Sequence, residues 1–149
     1  MTKLEFTVEG LSKPAGSKRG IPGQRQDGSL YANVVDDCKG TKGWQAVISF
    51  FARQAYRGEP LTGALSVSFT FFMPRPKGHF GTGKNAAVLK PSAPAFHVVK
   101  PDALKLARAA EDAMTGIVYR DDAQIVLEHI SKAYGSPARV EIKIQTLEH

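Results

Sequence analysis

The chain has 149 residues, 42% hydrophobic and 23% charged, the composition of a globular domain large enough for its own core. A formal charge of +6 and a pI of about 9.6 favour a polyanionic partner. The single cysteine, Cys38, excludes an internal disulfide and a multi-cysteine zinc site, and no apolar run is long enough to span a bilayer. No secretory leader is expected, because Met1–Gly10 alternates like a strand, so a cytoplasmic protein fits best. Leu147-Glu148-His149 has the form of a purification-tag remnant, which leaves 1–146 as one expected domain.

Leu4–Val8 alternates and predicts the first strand. Residues 10–28 read as a loop rich in glycine and proline, with Lys13, Lys18, Arg19 and Arg25 available for DNA phosphates or simply solvated. Ser29–Val35 predicts a short strand, followed by a charged turn. Trp44–Tyr56 has helical spacing, with Trp44, Val47, Ile48, Phe51 and Ala55 on one face and Trp44 as a core anchor. Gly58-Glu59-Pro60 ends that helix. Leu61–Met73 is the strongest strand pattern, with Leu65, Val67, Phe69 and Phe71 on one face and Ser66, Ser68, Thr70 and Phe72 on the other.

Residues 74–95 contain four prolines, several glycines, Arg75, Lys77, Lys84 and Lys90, and no acidic residue. They read as a mobile basic loop, either contacting a DNA backbone or merely connecting two ordered parts. Gly78–Lys84 satisfies the spacing that opens a phosphate-binding P-loop. Asn85 stands where that motif needs Ser or Thr, and the flanking prolines deny it a strand and a helix, so nucleotide binding is set aside. His79, His97 and His129 have no metal-ligand spacing, though His97 lies near the segment described next.

The most informative stretch is His97–Tyr134. Pro101 presets a helix start, Asp102 can cap it, and Ala103–Thr115 is rich in helix formers. Gly116 is the expected C-terminal cap and Ile117-Val118-Tyr119 a short extended run. Arg120-Asp121-Asp122 turns the chain into an extended strand over Ala123–Tyr134. Its two faces are expected to carry Val126, Glu128, Ile130, Lys132 and Tyr134, and Ile125, Leu127 and His129. This geometry could bring Asp102 near Asp121 and Asp122, a cluster of like charges that a cation such as Mg²⁺ would relieve. The residues alone equally allow Asp102 to be only a cap and Asp121-Asp122 only a polar turn.

Lys100-Pro101-Asp102, Leu106, Arg108, Asp112-Ala113-Met114-Thr115-Gly116, Asp121-Asp122-Ala123-Gln124-Ile125-Val126 and Lys132 together resemble the signature of the RusA family of phage and bacterial Holliday-junction resolvases. The likeness is strong over about a third of the chain, and weaker in Val8–Arg19 and Phe72–Lys77. It implies a divalent-metal-dependent endonuclease that cuts branched DNA in recombination and repair, with Mg²⁺, or Mn²⁺ in its place. It also implies a homodimer. By position, Asp102 and Asp122 match the family's metal-binding carboxylates, Asp121 supports them, and Arg108 falls where the family has a catalytic-site Lys. Arg keeps the charge but not the chemistry of Lys. Leu104 stands where the family has a second Asp, and Asp112 or Glu111 is the available substitute ligand. A junction-binding protein with weak or no cleavage is therefore the alternative. DNA contacts are expected from Lys13, Lys18, Arg19, Arg75, Lys77, Lys84 and Lys100.

Gly135-Ser136-Pro137 then predicts a hairpin turn into a final strand at Arg139–Ile144. The expected fold is a single α+β domain, a mixed sheet with two main helices packed on it.

Overall fold

The computed structural model of the chain describes residues 1–16, 18–36 and 40–148, with side chains placed for 1–16, 24–29 and 40–148. Cys38 and His149 lie outside the described residues, as do the side chains of Lys18 and Arg19. The expected α+β class forms. Strands β1 (Lys3–Glu9), β4 (Leu65–Met73), β5 (Ile125–Tyr134) and β6 (Arg139–Thr146) make a mixed sheet in the order β1-β6-β4-β5. Helices α1 (Thr41–Ala55) and α2 (Ala103–Met114) complete it, and β2 (Lys18–Gln24) pairs with β3 (Leu30–Asp36) as a separate two-stranded ribbon.

Strand β4 sits between β5, parallel to it, and β6, antiparallel. Its alternation is complete: Leu65, Val67, Phe69 and Phe71 are fully buried, while Ser66, Ser68, Thr70 and Phe72 face the other way. The buried row packs with Val8, Val140, Ile142 and Ile144 of the sheet and with Trp44, Ile48, Leu106, Ala110 and Met114 of the helices. Removing the apolar row from water supplies the main driving force, at about 25 cal/mol per Å² of apolar surface.

Several expectations are corrected. Residues 18–24 are a strand, although Gly20, Pro22 and Gly23 are poor strand formers. Antiparallel pairing to β3 decides it, closed by a tight turn in which Asp27 accepts from the Ser29 N–H at 2.8 Å and its hydroxyl at 2.6 Å.

On α1 the buried residues are Thr41, Trp44, Ile48 and Ala52, while Val47 and Phe51 are exposed. The Gln45 Nε2 and Ser49 Oγ donate to the Ala109 and Ala113 carbonyls at 3.1 and 2.7 Å, which turns the Val47–Phe51 flank outward.

The turn at 135–137 is no hairpin, because β4 lies between β5 and β6. The chain crosses the end of β4, with the Gly135 N–H donating to the Met73 carbonyl at 3.0 Å. A Cβ on Gly135 would meet the Phe72 ring at 2.5 Å, so the close crossing requires glycine.

Finally, Ile117–Tyr119 forms a tight turn carrying isolated bridges to Leu61 and Thr115, not a strand.

Strand β5 starts at Ile125 after a short 3-10 turn at Asp122–Gln124. Its register slips by one residue between Leu65 and Ser66, which pair with Ile125 and Leu127. Val126 is the extra residue, so the simple alternation predicted for this strand inverts there, and Val126 and Leu127 are both exposed. The 74–95 segment, expected as a mobile basic loop, carries two 3-10 turns and a Phe80–Leu89 bridge.

Candidate active site

Helix α2 begins where expected. Asp102 is its N-cap, its carboxylate accepting from the Lys105 N–H at 2.8 Å. Pro101 therefore precedes the cap and does not open the first turn. Lys132 of β5 ties this end down by donating to the Val99 and Pro101 carbonyls at 2.9 and 3.0 Å. The helix ends at Met114, and Gly116 adopts the left-handed conformation (φ 84°) that lets the chain reverse.

Asp121 and Asp122 follow directly on that reversal. The Asp121 carboxylate caps the 3-10 turn through the Ala123 N–H at 2.8 Å. Gln124 fixes the turn from both sides. Its Oε1 accepts from the Arg120 and Asp121 N–H groups at 2.9 Å, and its Nε2 donates to the Leu61 and Gly63 carbonyls at 3.0 Å. The buried Tyr119 adds a brace, its hydroxyl donating to the Glu111 carbonyl at 2.7 Å. Burial, with the nearby Glu111 charge second, holds the Tyr119 phenol well above its ordinary range, so it stays a donor.

Around this turn carboxyl groups crowd together. Partial desolvation raises the Asp122 carboxyl, helped by a hydrogen bond with Asp121 and by the charges of Asp121 and Asp112. Glu111, on the half-buried flank of α2, is pushed up to about 8. Desolvation is the largest cause, followed by a hydrogen bond to Glu128 of β5 and by the Glu128, Asp122 and Asp112 charges. The raised Glu111 and Asp122 carboxyls mark negative charge that a cation would balance. Its donors are all oxygen, as a hard divalent cation requires. Among the described residues no group of three or more carboxylates, imidazoles and thiols is arranged to hold a metal.

Asp121, Asp122 and Asp112 lie within electrostatic reach of one another, with Glu111 and Glu128 beside them, without closing into a metal-binding group. The structure leaves Asp102 at the far end of α2, whose 12 residues span about 18 Å. Leu104, Arg108 and Asp112 lie at successive turns on one exposed face, so Arg108 stands midway between the two carboxylate groups. Leu104 is 62% exposed and Asp112 sits about 12 Å further along the helix, so Asp112 joins the Asp122 turn without filling the place of residue 104. The roles of Glu128 and Gln124 escaped sequence reading. Glu128 could have been found from its place three positions beyond Ile125 on a strand packed against α2, and Gln124 from its place in the quoted motif.

Of the expected DNA contacts, Lys77, Lys84 and Lys100 are exposed and Lys13 is half-buried. Arg75 is committed within the chain, its guanidinium 4.2 Å from the centre of the Tyr134 ring and donating to the Pro94 carbonyl at 2.7 Å. His97 is buried edge-on against Tyr134, and burial together with the Lys132 charge lowers its affinity for a proton. Gly78–Lys84 lies in two 3-10 turns, without the strand and helix a P-loop needs. No helix among the described residues is long and apolar enough to cross a membrane.

The chain is 27% identical to the uncharacterized protein YqaN of Bacillus subtilis (strain 168), the match covering 97% of each chain. Residues 13–145 match the family described as endodeoxyribonuclease RusA, a span that holds both helices, β4, β5 and all but the last residue of β6 and leaves β1 outside. The chain therefore belongs to the RusA endodeoxyribonuclease family.

Proposed function

We propose that this protein is a divalent-metal-dependent endonuclease that cleaves four-way DNA junctions, with Asp121, Asp122 and Asp112 at the C-terminal end of α2 as carboxylates that would close up around the cation. The observation that carries this reading is the crowding of Asp112, Asp121 and Asp122 with Glu111, whose carboxyl is held well above the usual carboxylate range, in a chain of a nuclease family. Bound there, Mg²⁺ or Mn²⁺ would supply an activated water and charge compensation at phosphorus. The chain's own residues do the rest. Asp121 and Gln124 hold the turn rigid, Glu111 would give up its proton when a cation is bound, and Arg108 meets the charge that develops on the phosphate.

Asp102 enters the same reading through a second copy. Within one chain about 18 Å of helix separates it from Asp122. A homodimer with its two α2 helices antiparallel brings Asp102 of one copy to Asp122 of the other. The exposed apolar side chains Val98, Val99, Leu104, Val126 and Leu127, at the helix start and on the free edge strand β5, suit such a contact. The exposed Lys77, Lys84 and Lys100 would hold the DNA arms through phosphates.

The test is cleavage of a synthetic four-way junction in Mg²⁺ or Mn²⁺, against linear duplex and an Asp122→Asn protein. Junction-selective cutting lost in the variant is the expected result. Tight binding without cutting would instead favour a junction-binding protein, which the exposed Leu104 in place of a ligand carboxylate supports. Leu104→Asp should then restore cutting.

A further inference from the structure

The segment between β4 and α2 has a use that metal chemistry leaves unexplained. From Pro74 to Pro101 it holds no acidic residue. Its hairpin is closed by the Phe80–Leu89 bridge, by the Gly81 N–H donating to Val88 at 3.0 Å and by the Lys90 N–H donating to His79 at 2.8 Å. Gly81 is required there, since a Cβ would lie 2.7 Å from the Asn85 Cβ and 2.8 Å from its carbonyl oxygen.

Two adjoining cavities share Phe80 as a wall. One, of about 400 Å³, has Pro74, Phe80, Leu89 and the Tyr134 ring as apolar walls, with Arg75 and Ser136 as polar groups. The other, of about 500 Å³, is lined by Lys77, Lys90 and Thr82 and by the backbone of Gly78 and Gly81. The first suits a flat aromatic ring with hydrogen-bonding edges, which a base is. The second sets Lys77, Lys90 and Thr82 beside glycine backbone, residue types that suit a phosphate. Base and phosphate on either side of one ring describe a single nucleotide.

We propose that the 74–90 hairpin clamps one unstacked DNA nucleotide, its base against Phe80 and Tyr134 and its phosphate at Lys77 and Lys90. This rests on the reading of the chain as a protein of branched DNA, where nucleotides at the branch point unstack at least cost. A strand is the occupant favoured over a free mononucleotide, because the acid-free surface runs on past the cavities through Lys100 to α2. The Arg75 guanidinium is already stacked on Tyr134 and hydrogen-bonded to Pro94, so the base site is built before DNA arrives.

The experiment uses the full chain without divalent cations. Its probes are a four-way junction and a single-stranded thymidine oligonucleotide, each carrying 5-iododeoxyuridine. The expected result is a photo-crosslink to Phe80 or Tyr134. Phe80→Ala, at a partly exposed position outside the core, should keep the wild-type melting temperature, lose the crosslink and bind the single strand about tenfold more weakly. Lys77→Ala/Lys90→Ala should flatten the dependence of log affinity on log salt by about 1.4 for a single strand. Unchanged junction binding by Phe80→Ala, with crosslinks elsewhere, would overturn the clamp and leave the junction reading standing. Single-strand binding that depends on Phe80, without junction binding, would support the clamp and sink the junction reading. Binding of neither DNA would overturn both. Competition by thymidine monophosphate at equal nucleotide concentration would overturn the strand as occupant.

Discussion

Replacing Glu111 by Gln isolates the raised Glu111 carboxyl at the centre of the cluster. The amide keeps a donor toward Glu128 and removes the titration. In the wild type, the folded state holds the Glu111 proton up to about pH 8, whereas the ordinary value is 4.5. Below 4.5 both states are protonated and the pair contributes its full hydrogen bond. As pH rises from there through about 8, the unfolded chain has already released a proton that the folded chain retains, so stability falls across that window. Fully felt, the rise would correspond to about 5 kcal/mol. Half of the group faces solvent, and screening reduces this to roughly 2 kcal/mol. Urea denaturation in EDTA from pH 5 to pH 9 should therefore show Glu111→Gln close to wild type at pH 5 and about 2 kcal/mol more stable at pH 9. A difference that stays flat with pH would refute the raised Glu111 carboxyl and with it the charge crowding on which the site rests.

Four further variants separate structure from chemistry. Asp102→Ala should lose about 1 kcal/mol with its cap, measured by thermal melting, while Asp102→Asn keeps the cap and stability but loses junction cleavage. Gln124→Ala removes four hydrogen bonds around the Asp121–Asp122 turn and should cost about 2 kcal/mol in urea and lower the cleavage rate; an unchanged rate would mean the turn holds its shape without it. Gly135→Ala forces a methyl onto Phe72 and should lower stability by about 1–3 kcal/mol, with no change in stability showing that the crossing over β4 can relax.

Local pattern carried much of this fold. The strict alternation of Leu65–Met73 and the helix formers of Ala103–Met114 leave little freedom, because each buries one face whatever its neighbours do. What escaped was set by distant partners. The strand at Lys18–Gln24 forms against its own propensity through β3, and the outward face of Phe51 follows from hydrogen bonds to α2. Strand order was hidden for the same reason, since nothing in Gly135-Ser136-Pro137 says that β4 lies between the strands it joins. The candidate site divides along that line. Asp121 and Asp122 stood out through their motif, and the spacing of Asp112 and Glu111 on α2 made them available. The Glu128 contribution depends on how β5 packs on α2; Glu128 keeps its expected face with Ile130 and Lys132, and only Val126, at the bulge, leaves it. Proximity of Asp102 to Asp122 was expected from a helix and its return strand; the helix length argues for a second copy instead.

That last point admits a direct measurement. Chains carrying Asp102→Asn and chains carrying Asp122→Asn are refolded separately and as an equimolar mixture, and junction cleavage in Mg²⁺ is compared with wild type. If carboxylates from the two ends of α2 serve one phosphate across a dimer, each variant alone is inactive. Half of the mixed dimers then pair unlike chains, each with one undamaged site, so the mixture regains about a quarter of the wild-type sites. A mixture as inactive as its components would contradict the account.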